Sequence, residues 1–267
     1  MPKRSILSDL IASHSPGARI FPGARRMEPV PLPAVRLLQP HEECLTMTLL
    51  ESPPFDVAVT DRLLATTRSV RRRLDLSRPV EPELILECLN LAVQAPTASG
   101  AQRWRWLIVT DPDKRAALAD LYREGNVEFQ KMMAARVSHE SDAFYESANF
   151  LVDHFQEVPV HVVPCIEGRP EGRGAEGAVA LYASIMPAAW SFMLALRSRG
   201  LGSVWTTLHV SREKAAAELL DIPDDVTQVG LLPVAYTLGT DFKAATRQAA
   251  EEVTYWNTWE HASGPGA

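Results

Sequence analysis

A run of nineteen residues without a charged side chain, from Ala178 to Leu196, constrains the fold of this 267-residue chain more than any other feature. Its length is close to the ~20 apolar residues of a membrane-spanning helix. However, the run is rich in Ala and Ser, contains Pro187, is flanked by Glu176 and Arg197, and is the one such span in the chain. A helix that is apolar on every side is otherwise buried on every side. Because one modest subunit would have difficulty burying it alone, we predict that this helix lies at a subunit interface.

The overall composition excludes several classes of function. The chain is 46% hydrophobic and 22% charged, as in ordinary globular proteins, and its net charge of -6 argues against binding to nucleic acid or acidic lipid. Cys44, Cys88 and Cys165 are scattered, and no Cys or His spacing suits a metal site. The N-terminus lacks the pattern of a secretory signal. We therefore expect a cytoplasmic protein with no metal, nucleic-acid or membrane partner.

The first fifty residues differ from the rest of the chain. Residues 1–50 contain seven prolines, which interrupt any periodicity, and their positive charges are mostly Arg. Such a segment buries too little apolar surface to offset the entropy cost of ordering it. We predict a disordered extension at 1–50, followed by one organised domain at 51–267. Translation starting at Met47 and a targeting or interaction arm are both compatible with this extension.

Periodicity and turn residues predict mixed helices and strands without a regular βαβ rhythm, which favours the α+β class. Helices are predicted at 57–67, from Pro79–Pro82 to Pro96, at 114–123 with a helical region continuing to 155, at 178–196 ending at Gly200, and from a Ser211 cap to Leu220. Strands are predicted at 104–110, 158–166, 201–208 and 226–236. Tyr255, Trp256 and Trp259 in the tail predict docking on this subunit or on a partner.

A basic cluster follows the first predicted helix. It comprises Arg68, Ser69, Arg71, Arg72 and Arg73. The cluster is either a solvated helix end or a site for a phosphorylated cofactor, because Arg supplies charge-assisted donors and Ser a hydroxyl. Nucleic-acid binding is disfavoured by the net charge and by the lack of interleaved aromatic residues.

Two further segments suit a bound flavin. Residues 95–106 form a loop of small residues that enters an aromatic strand, and a loop without bulky side chains lets backbone amides approach a planar ring. Lys243 and Arg247 lie past the last strand. They are either surface charges or residues that the chain brings back to the phosphate of the cofactor that the basic cluster would bind. Since we find no catalytic triad, nucleotide-binding loop or metal spacing, a cofactor would have to carry any hard chemistry.

In combination, five segments resemble the FMN-dependent nitroreductase family. They are residues 67–80, 95–106, 184–189, 200–207 and 232–239, and the resemblance extends over about 57–250. It implies a nitroreductase-like three-layer α+β sandwich, with a mainly antiparallel sheet flanked by helices. It also implies an intertwined homodimer that holds two FMN molecules at the subunit interface, with helix 178–196 in the dimer core.

The resemblance also implies which residues contact FMN. Those assigned to the phosphate and ribityl chain are Arg68, Ser69, Arg247 and Lys243, and either Arg71 or Arg72 reaches the ribityl chain and the pyrimidine edge. Those assigned to the ring are Pro96, Thr97 and Ala98, from the partner subunit, and the backbone of Thr206, Thr207 and Leu208, facing N5.

Three positions depart from the family pattern. Gly100, assigned to the cofactor site, stands where many relatives carry a flavin-binding Asn, and Arg103 replaces the usual Pro before Trp104. Trp190 and Ser191 stand where relatives often have Gln-Asn.

The function implied is an FMN-dependent NAD(P)H oxidoreductase. It would work by ping-pong hydride transfer through flavin N5 to a nitroaromatic, a quinone or a similar small acceptor, without a catalytic side chain. Two alternatives stay open. One is a flavin-binding protein whose ring is occluded by 124–155 or by the Trp-rich tail. The other is a specialised member of the family that fragments flavin or dehydrogenates a biosynthetic intermediate.

Overall fold

The computed structural model describes residues 55–134 and 142–259. The predicted extension at 1–50, which includes Met47, lies outside the described residues. So do residues 135–141, which belong to the segment 124–155 that one alternative places over the flavin ring. The domain boundary therefore stays a prediction.

Six α-helices are present in the described ranges. They are α1 (Val57–Thr66), α2 (Pro82–Ala92), α3 (Pro112–Ala134), α4 (Asp142–His154), α5 (Gly174–Ser198) and α6 (Glu213–Leu220). Asp56 caps α1 by accepting a bond from the Val59 amide at 3.0 Å. α5 ends as predicted at Gly200, whose φ of 77° is a left-handed conformation that glycine adopts readily.

In the part of the chain that the structure describes, five strands form one antiparallel sheet. They are β1 (Trp104–Val109), β2 (Val160–Glu167), β3 (Leu201–Ser203), β4 (Val226–Gln228) and β5 (Leu232–Tyr236). The order is β1-β2-β5-β3, and β4 pairs with β2 beyond the end of β5. The predicted α+β class and antiparallel sheet are confirmed.

Helices cover both faces of this sheet, which makes three layers. Side chains of alternate β2 residues point to opposite faces. Val160 and Val162 pack with Ile85 of α2 and Phe192 of α5. On the opposite face, Val163 and Cys165 pack in a core that includes Leu118 and Tyr122 of α3, Leu151 of α4 and Leu220 of α6.

Two predicted strands are shorter than expected, and one predicted cap is absent. The strand predicted at 201–208 ends at Ser203, because Thr206 turns to pair with Leu231 and Leu208–Arg212 forms a 3₁₀ turn. The same pairing divides the strand predicted at 226–236 into β4 and β5. The Ser211 hydroxyl donates to the Leu208 carbonyl instead of capping α6.

Helix α5, which contains the uncharged run 178–196, is long and apolar enough to cross a membrane, and half of its most apolar window is buried inside this chain. Its outer face exposes Val179, Met186 and Trp190. The C-terminal aromatic residues are also exposed, and Tyr255 and Trp259 stack on each other at 4.7 Å. The docking of this tail, on its own subunit or on a partner, stays a prediction.

Candidate functional site

The basic cluster is held against the sheet by one buried residue. Ser69 bridges to Ser203 of β3, and the Val70 amide donates to the Ser203 carbonyl at 2.9 Å. Val70 is only 3% exposed, so its burial fixes the backbone on either side of it. Ser69 is exposed and its neighbours Arg68 and Arg71 are half-buried.

The structure brings Arg68 to the backbone of Lys243, although the two residues are 175 residues apart in sequence. Arg68 Nη1 donates to the Lys243 carbonyl oxygen at 2.9 Å. Arg68 also lines a narrow crevice with Ser203, and with Met193 and Arg197 of α5. Arg247 is exposed and donates to the carbonyl of its neighbour Thr246.

Arg71 is a partly desolvated cation. Its guanidinium lies 5.4 Å from the centroid of the Phe144 ring, and burial lowers the pKa of Arg71. Burial raises the pKa of the nearby Tyr122 to about 12, and Arg71 partly opposes that rise. Among the side chains that the structure describes, which leave out those of 133–143, Arg71 forms no ion pair with a carboxylate.

Arg72 and Arg73 have different surroundings from Arg71. Arg72 lies 3.5 Å from Glu146, and both side chains are more than half exposed, so this pair contributes little. Arg73 donates to the Leu238 carbonyl at 2.8 Å and to Asp241 at 2.6 Å, and it lies 4.2 Å from the Phe242 ring. Arg73 therefore anchors the segment that carries Lys243.

Arg197 at the end of α5 is a residue that sequence reasoning missed. Its guanidinium lies 4.8 Å from the same Phe242 ring and donates to the Thr240 carbonyl at 2.9 Å. Burial, together with Arg62 and Arg73, lowers the pKa of Arg197. Positive charge is thus concentrated where the C-terminal segment crosses the basic cluster.

The small-residue loop docks on the middle of α5. The Ala98 amide donates to Ser184 Oγ at 2.9 Å, and the Trp104 indole donates to the Ser184 carbonyl at 2.7 Å. Ala98–Gly100 forms a 3₁₀ turn in which Gly100 has a φ of 63°, with open space around it. Pro96 is exposed and Thr97 half-buried. A cleft of about 180 Å³ opens beside Thr97 and Ala98.

In the segment predicted to face flavin N5, Thr206 to Leu208, fewer backbone amides are free to donate than expected. The Thr206 amide and hydroxyl both donate to the Leu231 carbonyl, at 3.2 and 2.6 Å. The Thr207 and Leu208 amides have no acceptor in the part of the chain that the structure describes. Of the three predicted residues, therefore, only Thr207 and Leu208 have backbone donors left for a ligand.

Two groups of predicted site residues thus lie along different parts of α5. The basic group, with Arg68, adjoins Met193 and Arg197, whereas the ring group, with Ala98, adjoins Ser184. Nine to thirteen helical residues separate these points, or roughly 14–20 Å along the helix axis. This separation suits the predicted arrangement, in which the ring group serves the cofactor of a partner subunit.

The buried thiols and histidines of the described residues do not form a reactive centre. Cys88 and Cys165 are buried free thiols, and burial raises the pKa of each. Burial lowers the pKa of His161 to about 3 and that of His209 to about 4. Across 55–134 and 142–259, no cluster of three His, Cys, Asp or Glu residues suits a metal.

Comparisons with known proteins identify the family and the fold. A model of the Nitroreductase family matches residues 64–236. The 5,6-dimethylbenzimidazole synthase of Rhodospirillum rubrum is 28% identical over 192 residues, which cover 69% of this chain and 86% of that protein.

Two solved structures share the fold. One is an iodotyrosine deiodinase bound to FMN and 3-iodo-L-tyrosine, with a TM-score of 0.57, 23% identity, and 74% and 98% of the two chains covered. The other is the NADPH:FMN oxidoreductase of Vibrio harveyi complexed with NAD+, with a TM-score of 0.57, 18% identity, and 75% and 78% covered. The predicted nitroreductase-like fold is confirmed.

Proposed function

The chain belongs to the nitroreductase family, and from this premise we propose that it is an FMN-dependent oxidoreductase. It takes reducing equivalents from NAD(P)H and passes them to a small acceptor such as a nitroaromatic compound or a quinone. We further propose that it works as a homodimer in the cytoplasm.

The observation that carries this proposal is the state of Arg71. This half-buried guanidinium has lost part of its hydration without gaining a carboxylate among the described residues. The exposed Ser69 hydroxyl and the Arg68 guanidinium lie close by in the chain, and Arg68 contacts the backbone of Lys243, so we propose the Lys243 ammonium as a third cation. Guanidinium, hydroxyl and ammonium donors fit a phosphate, a ribityl chain and the pyrimidine edge of a flavin, so the residues present fit FMN.

The residues of the chain have defined tasks in this proposal. Bound FMN would supply two-electron chemistry at N5. Arg71 would place positive charge at the pyrimidine edge, where negative charge accumulates on reduction. The Thr207 and Leu208 amides would donate hydrogen bonds on the N5 side. Thr97 and Ala98 are small enough to leave a ring face open to substrate, and no side chain need act as acid or base.

The homodimer is supported by exposed apolar surface. No residue of α1 is buried in this chain, and Val57, Val59 and Leu64 are about half or more exposed. On α5, Val179, Met186 and Trp190 are also exposed. Because soluble monomers rarely leave such helices uncovered, we propose that a second copy covers them.

One alternative has a specific observation in its favour. The similarity to 5,6-dimethylbenzimidazole synthase spans most of both proteins, so a flavin-fragmenting reaction is the second candidate. A bound but occluded flavin is the third, and it would require 124–155 or the C-terminal tail to cover the ring.

The experiment that separates these functions is anaerobic reduction of the purified protein. The proposal predicts a yellow protein whose visible absorbance is bleached by NADPH or NADH and restored by a nitroaromatic compound or a quinone. A yellow protein that neither nucleotide bleaches would contradict the reductase. Consumption of FMN in air, with release of a benzimidazole, would establish fragmentation instead. A protein that cannot be loaded with FMN would overturn all three.

A further inference from the structure

Two arginines that the predicted cofactor site does not include line the cleft beside Thr97 and Ala98. They are Arg103, which ends the small-residue loop, and Arg173, which precedes α5. The rest of the lining is small or apolar, and includes Ala101, Ile166 and Leu181. The cleft, of about 180 Å³, thus combines an apolar wall with two guanidinium groups.

The Arg173 side chain is held in position. Its Nε donates to the Arg169 carbonyl at 2.5 Å, and Arg169 in turn pairs with Glu213 through bonds of 2.6 and 2.9 Å. A Cβ atom at either Gly168 or Gly177 would collide with the Arg173 side chain, so both glycines leave it space. A guanidinium fixed in this way loses little conformational entropy when it binds a ligand.

Two carboxylates near these residues already pair with other arginines, and Glu176, three residues after Arg173, forms no ion pair with it among the described residues. Glu167, which lies opposite Arg103 in the β1–β2 pairing, forms an ion pair with Arg105. Glu171 forms one with Arg169. Counting the residues that the structure describes, neither Arg103 nor Arg173 has a carboxylate partner. Two uncompensated cations at one cleft attract an anion.

We propose that this cleft is an anion subsite that binds the carboxylate or phosphate group of a substrate. The inference rests on the proposed function and names its substrate class. The substrate is a flat electron acceptor or a reductant, and in either case it carries a negatively charged group. The apolar wall would contact the body of the substrate, while Arg103 and Arg173 bind its charge. Placed next to Thr97 and Ala98, the subsite would hold the uncharged end against the flavin.

Direct binding measurements on the oxidised, FMN-loaded protein test this subsite without requiring turnover. Calorimetric titration would compare 4-nitrobenzoate with its methyl ester, which has the same ring without the charge. We expect 4-nitrobenzoate to bind about tenfold more tightly, and Arg103→Gln and Arg173→Gln each to remove about tenfold of its affinity. Raising the salt concentration should also weaken its binding. Neither variant should change the affinity for the ester or for FMN.

Replacement of Arg105 and Glu167 together by Gln is the matched control, because it removes this ion pair without leaving a free carboxylate opposite Arg103. It should leave 4-nitrobenzoate binding within about twofold, as expected for a solvent-exposed ion pair. Equal affinities for acid and ester, or equal losses in all three variants, would overturn the subsite. The subsite would also be overturned if Arg103→Gln and Arg173→Gln weakened the binding of FMN and not that of 4-nitrobenzoate, because the cleft would then be part of the cofactor site.

A second pair of titrations identifies the source of the anion. If Arg103→Gln and Arg173→Gln weaken binding of NADP+ but spare NAD+, neither of which can reduce the flavin, the subsite binds the additional phosphate of NADPH. If they weaken 4-nitrobenzoate alone, it binds acceptors. Intact, arginine-dependent binding of 4-nitrobenzoate to a flavin that neither nucleotide reduces would contradict the reductase and leave the subsite standing.

Discussion

Arg71 and Arg72 are adjacent in the sequence, but their surroundings differ. Arg71 is half-buried against Phe144, whereas Arg72 extends into solvent beside Glu146. The sequence left either residue able to reach the ribityl chain and the pyrimidine edge. Burial favours Arg71, because an electrostatic interaction is stronger where water is partly excluded.

We therefore predict that Arg71→Ala raises the dissociation constant of FMN about tenfold or more, which is the scale of a charge-assisted hydrogen bond. Arg72→Ala is the matched control and should change it by less than about threefold, as for an exposed ion pair. Fluorescence titration of the apoprotein with FMN measures both. A larger effect at Arg72 than at Arg71 would reverse the assignment.

The buried histidines predict how stability depends on pH. Burial lowers the folded-state pKa of His161 to about 3 and that of His209 to about 4, so both are neutral when folded. Unfolding restores pKa values near 6.5. Their contribution to the free energy of unfolding is therefore complete above about pH 6.5. It is lost as the pH falls from there towards the folded-state pKa values.

Each histidine should lower the free energy of unfolding by about 1.4 kcal/mol per pH unit in this range. Urea titrations at pH 7, 6 and 5, at one protein concentration, measure the slope. His161→Gln removes one of the two groups and should roughly halve it. An unchanged slope in this variant would show that His161 is not the titrating residue.

At the scale of elements, the helices were predictable and the strand ends were not. Proline, glycine and apolar spacing mark the limits of α1, α2 and α5, and these signals are local. The ends of β3 and β4 depend on distant residues, because Thr206 pairs with Leu231 and Trp205 donates to the Val229 carbonyl. α3 begins two residues before its predicted start, because Asp111 accepts a bond from the Lys114 amide, and it ends at Ala134, within the region predicted to be helical.

The same limit applies to the candidate site. Sequence reasoning joined Arg68 to Lys243 through a family resemblance, and the structure brings them into contact. It missed Arg197, because an arginine at the end of an apolar helix has the pattern of an ordinary solvent-exposed helix terminus. It also could not predict that the Thr206 amide donates to the Leu231 carbonyl, because this hydrogen bond joins residues that are distant in the sequence.

Gly230 provides a test of how these strand ends are fixed. A Cβ atom there would lie 2.6 Å from Nε1 of Trp205. Gly230→Ala should lower the free energy of unfolding by about 1–3 kcal/mol through overpacking. The smaller side chain of Trp205→Leu should relieve this penalty in the double variant, which a double-mutant cycle of urea titrations would detect. Additive effects would contradict the proposed contact.

At the scale of the whole molecule, the account depends on a second copy of the chain. α1 and the outer face of α5 leave apolar side chains exposed, and the basic and ring groups lie apart along α5. One arrangement accounts for both observations. In it, the dimer covers the helices, and each FMN takes its basic group from one subunit and its ring group from the other.

Subunit complementation tests this claim most directly. Arg71→Ala should impair the basic group, and Ala98→Trp should block the ring group, so each homodimer should retain little FMN. Co-expressed with different tags and purified through both, the two variants give a heterodimer in which one site carries both changes and the other none. We predict that this heterodimer binds one FMN per dimer. A heterodimer that binds as little FMN as either homodimer would contradict a site shared between subunits.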